Sequence, residues 1–163
     1  FDMNSRYDVP GYGYQIAMGE TALAESWQSR DYLSHNHCML GHLYSWLFSG
    51  IGGISQESGS TAYKRIVIDP QIVGDLRDAR VSFRSPYGLI RSEWKDAPDE
   101  FVQTIEIPAN ATARICLPAT DPAKVTESGK PVSGRKDMAV ESGTDGRIEL
   151  HVGSGVYRIA VEK

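Results

Sequence analysis

Tyr63-Lys64-Arg65-Ile66-Val67-Ile68-Asp69-Pro70 is where this chain changes its hydrophobic period. From here on apolar residues recur at every second position. Ile66 and Ile68 begin the pattern, followed by Val81 and Phe83, Ile90 and Trp94, Ile105 and Ile107, and Ile115 and Leu117. It returns in Ile148, Leu150 and Val152 and in Tyr157, Ile159 and Val161. A period of two places alternate side chains on opposite faces of a strand. Each run is short and bounded by Gly, Pro, Asn or Asp, which predicts an antiparallel β-sandwich. Pro70, Pro86, Pro108 and Pro118 fall at run edges, where a missing N–H does least harm. Asp145-Gly146, between Val140-Glu141 and Arg147-Ile148, predicts a hairpin turn.

Upstream, to about Ser58, the pattern reads as helical. Gly11, Gly13 and Gly19 break the start into a loop. Thr21 then opens a helix to about Ser29, on which Leu23 and Trp27, four apart, share a face. Residues 31–36 form a connection, and Ser34 or Asn36 can accept hydrogen bonds from the free N–H groups of the next helix. That helix is expected from about His37 to Ser49, with Met39, Leu40, Leu43, Tyr44, Trp46, Leu47 and Phe48 around most of its circumference. A helix apolar nearly all round is a buried one. Two such helices cannot cover each other, so they call for more helices than this sequence contains. The fold class is therefore α+β: a helical part over residues 1–58 and a sandwich over residues 59–163.

At 163 residues the chain is long enough for a real core. Its net charge of −4, with acids and bases interspersed, offers no basic face for nucleic acid. No apolar run approaches the ~20 residues needed to cross a bilayer as a helix. Phe1 is not followed by a signal-peptide pattern. Cys38 and Cys116 lie in segments of different character and read as free thiols.

Several stretches resemble one family. Pro10-Gly11-Tyr12-Gly13-Tyr14, Gly19-Glu20-Thr21-Ala22-Leu23-Ala24-Glu25-Ser26-Trp27, and Ser34-His35-Asn36-His37 with Gly41 are similar to the C-terminal end of bacterial α-L-rhamnosidases, glycoside hydrolase family 78. Ile51-Gly52-Gly53-Ile54, Tyr63-Lys64, Ile68-Asp69-Pro70, Pro86-Tyr87-Gly88-Leu89-Ile90 with Trp94, Ile107-Pro108-Ala109-Asn110 and Leu117-Pro118 extend the resemblance over nearly the whole chain. The Glu-x-Trp and Ser-x-Asn-His elements are its specific part. The resemblance implies a catalytic barrel of six helical hairpins followed by a C-terminal β-sandwich. Residues 1–58 would be the last helices of an incomplete barrel, and the remainder of that barrel is an implied partner.

The same resemblance implies the chemistry. The family inverts configuration, using a carboxylic acid to protonate the leaving oxygen and a carboxylate to deprotonate water on the opposite face. The family's general base maps onto Glu25 through Thr-x-x-x-Glu-x-Trp, and its general acid lies upstream of this chain. His37 matches a histidine that contacts the sugar, and an imidazole can both donate to and accept from a hydroxyl. Trp27 is either a platform for the apolar face of a 6-deoxy sugar or a core residue beside Leu23. Read from the residues alone, Glu25 is more simply a solvated helix glutamate, and it is the resemblance that makes it the base. Glu20 reads as a first-turn glutamate favoured by the helix dipole, Asn36 as a cap, and Trp46 and Trp94 as core. Ala24 stands where the family often has a tryptophan, which bears on subsite shape.

His35, Cys38 and His42 could share a helical face, but a zinc site usually draws a fourth ligand from elsewhere. No metal or cofactor is expected. Asn110-Ala111-Thr112 matches a glycosylation acceptor and is read as chance. The substrate implied is a rhamnose-containing carbohydrate, and bare apolar helix faces would favour self-association. Two alternatives remain open: a non-catalytic structural or carbohydrate-binding sandwich, and another helical-barrel glycosidase or phosphorylase. Strand aromatics on inward positions (Phe83, Trp94, Phe101 and Tyr157) favour a structural sandwich over a binding one.

Overall fold

Along Glu100–Ile107 the odd-numbered residues Phe101, Gln103, Ile105 and Ile107 are buried, and the residues between them face partly outward. That strand is the pattern for the rest. The computed structural model describes residues 1–163, which form two compact units, Phe1–Trp46 and Leu47–Lys163.

The second unit is all β apart from its entry and one short 3-10 turn. Its strands are β1 (Ile54–Gln56), β2 (Arg65–Ile68), β3 (Asp78–Ser85), β4 (Gly88–Asp96), β5 (Glu100–Ile107), β6 (Thr112–Cys116), β7 (Val125–Glu127), β8 (Lys130–Pro131), β9 (Ala139–Ser142), β10 (Ile148–Val152) and β11 (Gly155–Glu162). They form two sheets, in the orders β1-β2-β6-β10-β9 and β3-β4-β5-β11-β7-β8. The expected sandwich is present, with one departure from antiparallel pairing. β2 and β6 run parallel, because the chain leaves the first sheet after β2, builds the β3-β4-β5 meander in the other sheet, and returns beside β2.

Ile66, Ile68, Ile90, Ile105, Ile115, Leu150 and Ile159 have no exposed surface and make the core. Trp94 and Phe101 belong to it, their rings stacked with centroids 6.4 Å apart, and the indole N–H donates to the Ile51 carbonyl at 2.8 Å. Phe83 and Tyr157 are only partly buried. β2 departs from simple alternation, since Val67 is buried as well as its two neighbours. Asp145-Gly146 does form the turn between β9 and β10: Gly146 takes a φ of +80° and its N–H donates to the Gly143 carbonyl at 2.9 Å. Neither cysteine is bridged; Cys38 is exposed, and burial pushes the Cys116 thiol up to about 11.

The first unit departs from expectation in its helices. Thr21–Ser29 is not helical, and the expected helix from His37 shrinks to α3 (Leu43–Trp46), which continues as a π-turn over Leu47–Ile51. Two short helices appear instead where none was expected: α1 (Asp2–Ser5) and α2 (Tyr12–Ala17). The glycines explain α2. A Cβ on Gly13 would lie 2.3 Å from the Arg6 carbonyl, and one on Gly11 2.9 Å from that of Met3. These glycines allow backbones to approach, so they pack a helix here and do not break one. The predicted helices fail because their backbone groups bond across the chain. Glu25 N–H donates to Ser34 O at 2.8 Å and His37 N–H to Leu23 O at 2.7 Å. Nor is the apolar stretch 39–47 buried within this chain: Leu40 is, but Met39, Tyr44 and Leu47 are exposed. No helix is long and apolar enough to cross a membrane.

Gly53 sits at φ +69°, and a Cβ there would lie 2.2 Å from the Pro70 nitrogen. Gly146 is also left-handed but has open space around it. Gly146→Ala should cost about 1 kcal/mol from backbone strain alone, and Gly53→Ala about 3 kcal/mol because steric overlap adds to it. Urea unfolding of the two variants measures the difference; equal losses would contradict the close approach of Gly53 to Pro70.

Candidate active site

Glu25 lies on one of two irregular segments, residues 23–27 and 34–37, that run side by side. Besides the two backbone bonds just described, the Ser34 N–H donates to Glu25 Oε2 at 3.1 Å. The carboxylate is therefore tethered at one oxygen by the neighbouring segment, and its side chain is partly buried. No hydrogen bond from this chain reaches Oε1. His37 is partly buried on the same neighbouring segment. The structure thus sets the backbones of Glu25 and His37 on adjoining segments, without the helices expected to carry them.

A buried side chain of α2 supports this segment from beneath. Gln15 is 3% exposed, and its amide Nε2 donates to the Ser26 carbonyl while its Oε1 accepts from the Ala24 N–H, each at 3.2 Å. Ala24 is itself buried. A larger side chain at position 24 would displace the neighbours that now enclose it.

Trp27 is partly buried and meets Tyr12 edge to face, with centroids 4.9 Å apart at 88°. Its partner is this tyrosine of α2, and the helical i−4 relation to Leu23 does not exist. The Tyr12 hydroxyl is buried and donates to the Leu40 carbonyl. Burial pushes the pKa of that phenol above its ordinary value, so it stays a donor at neutral pH. His42 lies against the same tyrosine at 6.5 Å.

Glu20 differs from its reading in the sequence. No helix follows it; its Oε1 instead lies 2.7 Å from His35 Nδ1, with the carboxylate largely covered. That pair occupies His35, and no three His, Cys, Asp or Glu side chains come together as metal ligands would. Asn36 caps no helix, and its backbone N–H donates to Ser34 Oγ. Sequence reasoning missed Gln15 and the Glu20–His35 pair. The only trace of the first is its position behind Gly11 and Gly13, the glycines that let α2 sink against other backbone.

A helical lead-in with a tethered carboxylate, followed by a two-sheet sandwich, is the layout of the C-terminal end of a barrel-type glycoside hydrolase. Residues 1–51 match the bacterial alpha-L-rhamnosidase six-hairpin glycosidase domain, and residues 53–131 match the bacterial alpha-L-rhamnosidase C-terminal domain. The chain belongs to the bacterial α-L-rhamnosidases and corresponds to their C-terminal portion. An α-L-rhamnosidase of Streptomyces avermitilis is 31% identical over 162 residues, spanning 93% of this chain and 15% of that protein. One of Formosa agariphila is 25% identical over 161 residues, 96% of this chain and 17% of that protein. Among solved structures, the Streptomyces avermitilis enzyme complexed with L-rhamnose superposes with a TM-score of 0.84 at 28% identity, covering 98% of this chain and 15% of that one. The Dictyoglomus thermophilum enzyme gives 0.83 at 28% identity, covering 97% and 18%. The chain thus spans less than a fifth of the length of these relatives.

Tyr12→Phe keeps the ring under Trp27 but leaves the Leu40 carbonyl without its donor. Stability should fall by about 1–3 kcal/mol while the near-ultraviolet circular dichroism of Trp27 persists. An unchanged melting curve would show that the buried hydroxyl contributes nothing.

Proposed function

We propose that this chain supplies the general base and part of the sugar pocket of an inverting α-L-rhamnosidase. Glu25 is the base. It accepts a proton from water as the water attacks the anomeric carbon, and so must be ionised at working pH. A carboxylic acid on the remainder of the barrel protonates the leaving oxygen, roughly 6.5–9.5 Å from the base, as inversion requires. His37 contacts a sugar hydroxyl. Trp27, braced edge-on by Tyr12, offers its apolar face to the deoxysugar.

The observation that carries this reading is the tether on Glu25. A base that removes a proton from water must hold its position and keep one oxygen available. The Ser34 N–H holds Oε2, while Oε1 accepts nothing from this chain. A surface glutamate would need no such support. The sandwich is structural in this reading, since Trp94 and Phe101 are spent on its core.

In the full-length enzyme Glu25→Gln should lower kcat on an aryl α-L-rhamnoside by about 10²–10⁴-fold with the fold intact. Near-normal turnover would move the base to another carboxylate. The 163-residue chain alone should give no turnover; activity from it would mean that it holds both carboxylates.

A further inference from the structure

The buried carboxamide of Gln15 grips the two ends of the stretch Ala24-Glu25-Ser26, one peptide beyond Glu25 on each side. It uses its donor on Ser26 O and its acceptor on Ala24 N–H, at 3.2 Å each. Glutamine in a helix is usually a solvent residue, and burying a carboxamide is unfavourable unless both ends are matched. Here both ends are matched, and to one short stretch. The bonds hold the outer peptides of residues 24–26, so they limit how far the stretch that carries Glu25 can shift. The helix beneath is anchored in turn: Gln15 N–H donates to Gly11 O, and Glu20 N–H donates to Gln15 O. No other side chain bonds the backbone of residues 24–26. The neighbouring segment holds the Glu25 backbone and carboxylate from the other side through Ser34.

We propose that Gln15 is a positioning residue for catalysis, holding the Glu25 loop so that its carboxylate meets the attacking water. The proposal rests on Glu25 being the base. It concerns geometry, since Gln15 is buried and both ends of its amide are taken by backbone groups. Small displacements of a catalytic group can cost about 10²-fold in rate, and the two bonds at the ends of residues 24–26 are what resist one.

The chemistry of the amide supplies a specific test. A protonated Glu at position 15 reproduces the pattern, its carbonyl accepting from Ala24 N–H and its hydroxyl donating to Ser26 O. A deprotonated Glu has two acceptors and no donor, so it faces the Ser26 carbonyl with repulsion. Burial disfavours the charged form and raises the pKa above the usual carboxylate range. Below that value Gln15→Glu keeps both bonds; as pH rises through it, the Ser26 bond is lost. The titratable neighbours Glu20, Glu25 and His35 are common to both proteins, so the ratio of variant to wild-type kcat at each pH isolates position 15.

In the full-length enzyme, folded Gln15→Ala should lower kcat about 10- to 100-fold with KM nearly unchanged, the signature of an interaction lost at the chemical step. For Gln15→Glu the kcat ratio should be near one at the acid end and fall as pH rises. If Gln15→Ala does not fold, the Gln15→Glu ratio decides alone. A folded Gln15→Ala with kcat within about twofold of wild type, an effect confined to KM, or a Gln15→Glu ratio flat with pH would overturn the proposal. Glu25→Gln made in parallel separates the two failures. If it is inactive while the position 15 variants behave like wild type, only the positioning role falls. If it is active, the base assignment falls and the positioning role with it.

Discussion

The exchange of backbone hydrogen bonds between residues 23–25 and 34–37 is the constraint on which the rest of the candidate site depends. A peptide group buried or half-buried must find a partner, and here those partners come from a segment nine or more residues away. Leu23 O is taken by His37 N–H and Glu25 N–H by Ser34 O, so neither group is available to close a local helical turn. The same exchange brings a second donor, the Ser34 N–H, to the carboxylate of Glu25. Local helix propensity in Thr21–Ser29 is modest, with a β-branched residue and two serines. It does not compete with this pairing once α2 has supplied the other face.

α2 is a short helix, and short helices are marginal by themselves. What holds it is contact. Two glycines let it lie against the backbone of residues 3–6. Tyr12 reaches from it to Leu40 and under Trp27, and Gln15 reaches to residues 24 and 26. Two positions one turn of helix apart, Tyr12 and Gln15, thus support the indole and the loop that carries the proposed base. The exposed apolar residues of the same unit, Met39 and Tyr44 among them, suit a segment whose relatives continue into a larger helical domain.

Much of the sandwich was legible in the sequence. Ile105, Ile107, Ile148, Leu150, Ile159 and Val161 announced inward faces by alternation alone, and all of them are buried. Asp145-Gly146 announced its turn through the one residue that takes φ +80° without strain. The parallel register of β2 on β6 was not legible, because alternation says which way side chains point and nothing about which strand lies alongside. In the candidate site the residues were nameable through resemblance to a family's motifs, but the elements carrying them were misread. Trp27 shows why: its position four after Leu23 suggested a helical neighbour, whereas its actual neighbour is Tyr12, fifteen residues back.

Sequence by itself determined the two-part character of the chain, the strand faces and the identity of Glu25, His37 and Trp27 as the residues of interest. The first two follow from periodicity, a property of neighbours along the chain, and the three site residues from the resemblance of their motifs to a known family. Only the tertiary structure decided that Gly11 and Gly13 seat a helix and do not end one, that Glu20 pairs with His35, and that Gln15 is buried beneath the Glu25 loop. Each of these depends on which distant backbone groups are left to be satisfied, and that count exists only once the chain has closed on itself.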